Sequence, residues 1–174
     1  MAVIAEAVAG LEERQLSCWL AGGWAVDFLI GRVTREHRDV DIVIWAADAS
    51  AATDALRDAG FNLQQARAPE LIHFERNGVP VTLSFVEREA DGTLVTPGKW
   101  RDWPWPPDSL SAPLGRIGSL TIPIVSLASQ LETKSNYAAH IHGAPLRPQD
   151  EVDLLLLYAF RKQTRVSEQS TGPP

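Results

Sequence analysis

Leu20-Ala21-Gly22-Gly23-Trp24-Ala25-Val26-Asp27, followed by Asp39-Val40-Asp41, decides how the rest of the chain reads. The short apolar run Ser17–Ala21 reads as a buried strand. Gly22-Gly23 breaks it, and a helical pattern over Trp24–Ile30 follows until Gly31. Glycines at a strand-to-helix junction let backbone N–H groups approach an anion closely, and the helix N-terminus adds a favourable partial charge. Asp39–Trp45 alternates and then becomes fully apolar, as a central strand does. Residues i and i+2 of a strand point the same way, so Asp39 and Asp41 share one face while Val40 points to the core. Two close carboxylates repel unless a cation lies between them, and oxygen ligands of this kind suit Mg²⁺. Each feature alone has a plainer reading: a tight turn for the glycines, a cap and an exposed side chain for the aspartates. In this order and spacing they favour a triphosphate site with its metal.

The 174-residue chain fits one domain, read as residues 1–166 with a C-terminal helical part over about 126–166 and a frayed polar tail over 167–174. Its residues are 45% hydrophobic and 22% charged, so disorder is not the default. A formal charge of -6 argues against a dedicated nucleic-acid binder, which shows a basic face. An acidic surface suits a cationic acceptor, but it also serves solubility, and the second use is commoner. Cys18 is the only cysteine, which leaves no intramolecular disulfide or cysteine-built zinc site, and it reads as a buried small hydrophobe. The N-terminus carries an early Glu6 and no basic segment, and every apolar run is far shorter than the roughly 20 residues of a membrane span. The expectation is a soluble cytoplasmic protein that does not contact a membrane.

Hydrophobic spacing predicts a helix over 2–14 and another over Ala52–Ala59, with Ser50 as its cap. Strands follow at Phe61–Ala66, Leu71–Arg76 and Val79–Val86, the last two joined by the two-residue hairpin turn Asn77-Gly78. Gly98–Pro113, rich in Trp and Pro, reads as an irregular loop. Leu120–Val125 reads as a strand. Ser126 caps a helix to about His140, and Pro148 opens a last one over Gln149–Lys162, with Asp150 and Glu151 in its first turn.

The run Trp19–Asp27, then Gly31-Arg32-Val33-Thr34-Arg35, His37 and Asp39-Val40-Asp41, closely resembles the aminoglycoside 2''-adenylyltransferases and the related lincosamide nucleotidyltransferases. Lys134 and Arg147-Pro148-Gln149-Asp150-Glu151-Val152-Asp153 extend the likeness to the C-terminus. The resemblance implies an α+β, polymerase-β-like nucleotidyltransferase fold: a mixed sheet flanked by helices, with C-terminal helices. It implies AMP transfer from ATP to a hydroxyl of a small aminoglycoside- or lincosamide-like molecule, with release of pyrophosphate. Gly22 and Gly23 then face the triphosphate, Asp39 and Asp41 bind the Mg²⁺, and Lys134 contacts phosphate. Arg35 and His37 either touch phosphate or brace the loop. Small proteins of this kind sometimes complete the acceptor cleft with a second subunit, so a homodimer is open.

Members of this kind usually supply a third carboxylate from a later strand, and the matching position here is Thr82. Threonine is a poor magnesium ligand and no useful base near neutral pH. With Asn77-Gly78 as the turn, Arg76 pairs with Val79, Glu75 with Pro80 and His73 with Thr82. His73 opposite the vacant position can then act as the base with Glu75 nearby, and Glu87 and Glu89 are further candidates at the strand end. The plainer reading makes His73 and Glu75 ordinary polar residues of a half-exposed hairpin. Thr82 therefore leaves a second possibility open: a nucleotide- or ligand-binding protein of this fold with weak or lost transfer. Trp100, Trp103 and Trp105 either stack on a ligand or close the core. For Asp150 and Asp153 the helix dipole alone is a sufficient reason.

Overall fold

The computed structural model describes residues 1–67, 70–103, 105–112, 114–142 and 145–170. Its centre is β2 (Val40–Trp45), which runs antiparallel to β1 (Cys18–Ala21) on one side and parallel to β5 (Val79–Arg88) on the other. The sheet continues antiparallel through β4 (Leu71–Arg76) to β3 (Asn62–Arg67), and the short β6 (Leu94–Val95) pairs with the far end of β5. The order is β1-β2-β5-β4-β3, a mixed sheet.

Alternation along β2, β4 and β5 sorts the side chains by face. Val40, Ile42 and Ile44, with Ile72, Phe74, Val81, Leu83 and Phe85, are buried with Ile4, Ala7 and Leu11 of α1 (Ala2–Glu13) and Ala52, Ala55 and Leu56 of α3 (Ala49–Asp58). The alternate positions Asp41, His73, Thr82 and Ser84 are left for the other face. Next to that face lie α2 (Gly22–Ile30), α4 (Leu127–His142) and α5 (Pro148–Ser170), with α2 against both C-terminal helices. The hairpin of β7 (Gly115–Ile117) and β8 (Leu120–Ile122) packs on α2.

The α+β expectation and the main strands hold, while several boundaries move, among them the end of the strand from Leu120, which stops at Ile122 rather than Val125. The second helix starts at Gly22 itself. The third starts at Ala49 after a 3-10 turn over Ala46–Asp48, so Ser50 lies inside the helix and does not cap it. Gly115–Ile117 is a strand that the sequence did not mark, because three residues are too few to show a period. The last helix runs past Lys162 to Ser170, through the first part of the expected frayed tail, and 171–174 lie outside the described residues. Ser126 is a cap as expected, its hydroxyl accepting from the Ser129 N–H at 3.1 Å. Among the described residues no helix is long and apolar enough to cross a membrane.

Candidate active site

Gly22 has φ +65°, a left-handed conformation that glycine adopts without penalty, and it turns the chain from β1 directly into α2. Ala21 at the helix N-cap is extended and offers no side-chain cap, so the first N–H groups of α2 are left for another acceptor. A Cβ on Gly22 would collide with the Asp41 carboxylate. A Cβ on Gly23 would collide with the Arg35 guanidinium and lie 2.6 Å from His37 Nδ1. Side chains are packed against both glycines, and at Gly22 the left-handed turn adds its own requirement.

Asp39, just before β2, is exposed, and Asp41 is half-buried beside Ala21 and Thr82. Burial pushes the Asp41 carboxyl up to about 6, the neighbouring Asp39 adds to the rise, and Lys134 and Arg147 oppose it. Placing a divalent cation at this pair would relieve that repulsion. Among the described residues no third His, Cys, Asp or Glu joins them in a metal-holding group. Two carboxylates suit an ion whose other ligands are water and substrate phosphate.

Two cavities meet at these aspartates. One, of about 390 Å³, is lined by Gly23, Arg35, Glu36, Arg38, Asp39, Asp41, Lys134, Arg147 and Gln149. It is polar and carries four cations, a lining suited to phosphate oxygens. The other, of about 440 Å³, adds His73, Thr82 and Ser84 from the sheet, Trp100, Trp103 and Trp105 from the loop, and Tyr137 from α4. Asp39, Asp41, Lys134 and Arg147 belong to both walls. The three tryptophans line the larger cavity, and Trp105 also packs on the core, its Nε1–H donating to Thr96 Oγ1 at 2.9 Å.

The cations are held by the start of α5. Asp150 and Asp153 are fully buried. Asp153 accepts Arg35 Nε and a second guanidinium nitrogen, both at 2.9 Å, and Lys134 Nζ at 2.8 Å. Asp150 accepts Lys134 Nζ at 3.1 Å and Arg147 at 2.5 and 3.0 Å. Burial alone would raise both carboxyls; the Arg35 fork and Lys134 at Asp153, and Arg147 and Lys134 at Asp150, outweigh it and hold them below the usual range. The helix dipole is thus not their main partner. Their contacts are with residues up to 118 positions away, which no local pattern announces.

His37 is placed otherwise than a phosphate ligand. Its side chain is 2% exposed, its Nε2 is 2.6 Å from Asp27 Oδ2, and Trp24 covers its ring at 4.3 Å. Asp27 is fully buried and also accepts the Thr34 hydroxyl. This cluster ties α2 to the loop before β2. Asp27 was visible in the opening motif but carried no chemical signal of its own.

On the sheet, the hairpin register is His73 opposite Thr82, Glu75 opposite Pro80 and Arg76 opposite Val79, as the Asn77-Gly78 turn requires. His73 Nδ1 lies 3.1 Å from Thr82 Oγ1, and both line the larger cavity. Glu75 does not join them: its carboxylate accepts the Gly78 N–H at 2.5 Å and so belongs to the turn. Glu87 and Glu89 pair with Arg101. The sequence reading missed Glu70, which lines the larger cavity beside Leu71 and accepts the Lys99 N–H at 3.3 Å.

Residues 3–157 match the model of the aminoglycoside-2''-adenylyltransferase family. A 2''-aminoglycoside nucleotidyltransferase of Klebsiella pneumoniae is 48% identical over 40 residues, 23% of each chain. A lincosamide resistance protein of Staphylococcus haemolyticus is 40% identical over 53 residues, 30% of this chain and 33% of that one. The aligned stretches therefore span a quarter to a third of these relatives. Among solved structures, the antibiotic-resistance factor ANT(2'')-Ia superposes with a TM-score of 0.74 at 18% identity over 97% of this chain and 92% of that one. The same factor in complex with adenylyl-2''-tobramycin gives 0.69 at 19% identity, over 94% and 97%. The lincosamide adenylyltransferase LnuA, lincomycin-bound, gives 0.69 at 24% identity, over 86% and 90%. At these identities the structural likeness is one of fold, the polymerase-β-like nucleotidyltransferase fold. With the family model matched across most of its length, the chain belongs to the aminoglycoside-2''-adenylyltransferase family.

Proposed function

We propose that the protein transfers AMP from ATP to a hydroxyl of a small antibiotic of the aminoglycoside or lincosamide kind, releasing pyrophosphate. The observation that carries this reading is the meeting of a cation-lined cavity and an aromatic one at Asp39 and Asp41. The triphosphate occupies the first, against the open N–H groups of α2 and the side chains of Arg35, Arg38, Lys134 and Arg147. The acceptor occupies the second, with rings against Trp100, Trp103 and Trp105. Asp39 and Asp41 hold Mg²⁺, which when bound neutralises charge on phosphate oxygens. Adenylyl-2''-tobramycin and lincomycin, bound in two of the neighbours, suggest the acceptor class to test.

His73 takes the proton of the acceptor hydroxyl. His73 Nδ1 lies 3.1 Å from Thr82 Oγ1; in the tautomer that carries its proton on Nδ1 and donates it to that hydroxyl, Nε2 would keep the lone pair that a base needs. Thr82 thus orients the imidazole from the position where a carboxylate was expected.

The test is incubation with Mg²⁺, α-labelled nucleoside triphosphates and a panel including tobramycin and lincomycin. Labelled acceptor and pyrophosphate are expected, and Asp39→Ala with Asp41→Ala should abolish both. Transfer that survives the double substitution sinks the site assignment. Nucleotide binding without turnover on any acceptor favours instead a binding protein, the alternative that Thr82 raises.

A further inference from the structure

Three cations of the smaller cavity come from three separate parts of the chain: Arg35 from the loop before β2, Lys134 from α4, and Arg147 from the segment before α5. One turn of α5 gathers them. Asp150 and Asp153 are three residues apart and so lie on one helix face. Both are fully buried, and each carboxylate is shared by two cations. Lys134, with a side chain 7% exposed, is bound by both. Arg35 is the freer partner at 23%, and its planar fork fits the two oxygens of Asp153, both at 2.9 Å.

We infer that Asp153 is a positioning residue for polyphosphate: it holds Arg35 and Lys134 in one fixed geometry on the wall of the cavity beside Asp41. The inference rests on the nucleotide reading of that cavity. A half-exposed arginine without its fork partner spreads over many rotamers and must be ordered at each binding event. Anchored from behind by Asp153, the same guanidinium meets phosphate already ordered. The sign of the effect separates this role from charge alone. Removing a carboxylate makes the cavity more positive, so Coulomb attraction by itself predicts tighter binding of an anion. Positioning predicts weaker binding.

The experiment measures binding of inorganic tripolyphosphate, Mg-ATP and AMP to the full chain and to Asp153→Asn. Affinity for tripolyphosphate and Mg-ATP should fall by about tenfold or more, the scale of a charge-assisted contact, while AMP changes little. A merely structural defect would weaken all three alike. Arg35→Lys keeps the charge, loses the fork, and should reproduce the same pattern even if Asp153→Asn folds poorly. The double variant should bind no worse than Arg35→Lys alone if Asp153 acts chiefly through Arg35. Unchanged or tighter tripolyphosphate binding in Asp153→Asn, or an equal loss for AMP, overturns the inference while the nucleotide reading stands. A wild-type protein that binds neither tripolyphosphate nor Mg-ATP overturns that reading, and the inference with it.

Discussion

Asp41 and Thr82 are register partners across the parallel β2–β5 pair, and His73 stands opposite Thr82 on the other side. The Asp41 carboxylate, the hydroxyl and the imidazole therefore form a row across three adjacent strands, each about 4.8 Å from the next. A carboxylate at position 82 would complete a three-acid cluster. Here the hydroxyl fills that place and binds His73 Nδ1 at 3.1 Å.

Exchange along this row should be non-additive. His73→Gln in the native background should lower the rate of transfer by about 10²–10⁴, the usual worth of a positioned base. Thr82→Asp supplies a carboxylate in its place, so the same His73 substitution should then cost far less. Single-turnover transfer in the four proteins of this cycle measures the coupling. Equal losses in both backgrounds would remove His73 from the proton path.

Binding of the metal–nucleotide should weaken in acid because Asp41 must be ionised to hold a cation. Its carboxyl is raised to about 6, chiefly by burial and then by Asp39. Affinity for Mg-ATP should be level above that pH and drop by about tenfold per pH unit below it. Tripolyphosphate without metal should not follow this curve. Calorimetric titrations at pH 5, 6, 7 and 8 test the difference.

The two glycines should fail in different ways. Gly23→Ala puts a methyl group against the Arg35 guanidinium, which can shift at some cost in nucleotide binding, and against His37, whose side chain is buried against Asp27 and cannot yield, so stability should fall by about 2 kcal/mol or more. Gly22→Ala adds left-handed strain of about 1 kcal/mol, and its methyl displaces the Asp41 carboxylate. Loss of metal–nucleotide binding should therefore exceed loss of stability in Gly22→Ala. Denaturant melts and binding on the same preparations compare the two.

The sequence made the sheet legible because its signals are local. Asn77-Gly78 set the turn, and the period of two then placed His73 against Thr82 without further information. The glycine turn and the Asp39/Asp41 pair were legible for the same reason. What was hidden depends on distance along the chain. Asp153 meets Arg35 across 118 positions, and the dipole of α5 already gave the acid a local reason to be there. Glu75 shows the opposite error: its face was right, but a side chain can fold back onto its own turn, and the Gly78 N–H captured it.

Stability should depend on pH with opposite signs at Asp41 and at the Asp150/Asp153 pair. Asp150 and Asp153 have folded carboxyls below the ordinary range, since Arg147, Arg35 and Lys134 outweigh the cost of burial. Their contribution is full above the ordinary carboxylate pKa of about 4 and is lost as pH falls through the folded value. Asp41 behaves inversely. Raised from 3.8 to about 6, it favours the folded state below pH 4 and loses that advantage as pH rises through about 6. The shift sets a ceiling of about 3 kcal/mol, and partial exposure should reduce this to roughly 1–2 kcal/mol. Metal-free Asp41→Asn should therefore gain stability over wild type at pH 7.5 and match it near pH 4, while Asp153→Asn should lose most at pH 7.5. Urea unfolding across that range, with a chelator present, measures both limbs. A stability curve for Asp41→Asn that parallels wild type at every pH would show that this carboxylate is not under strain in the folded protein.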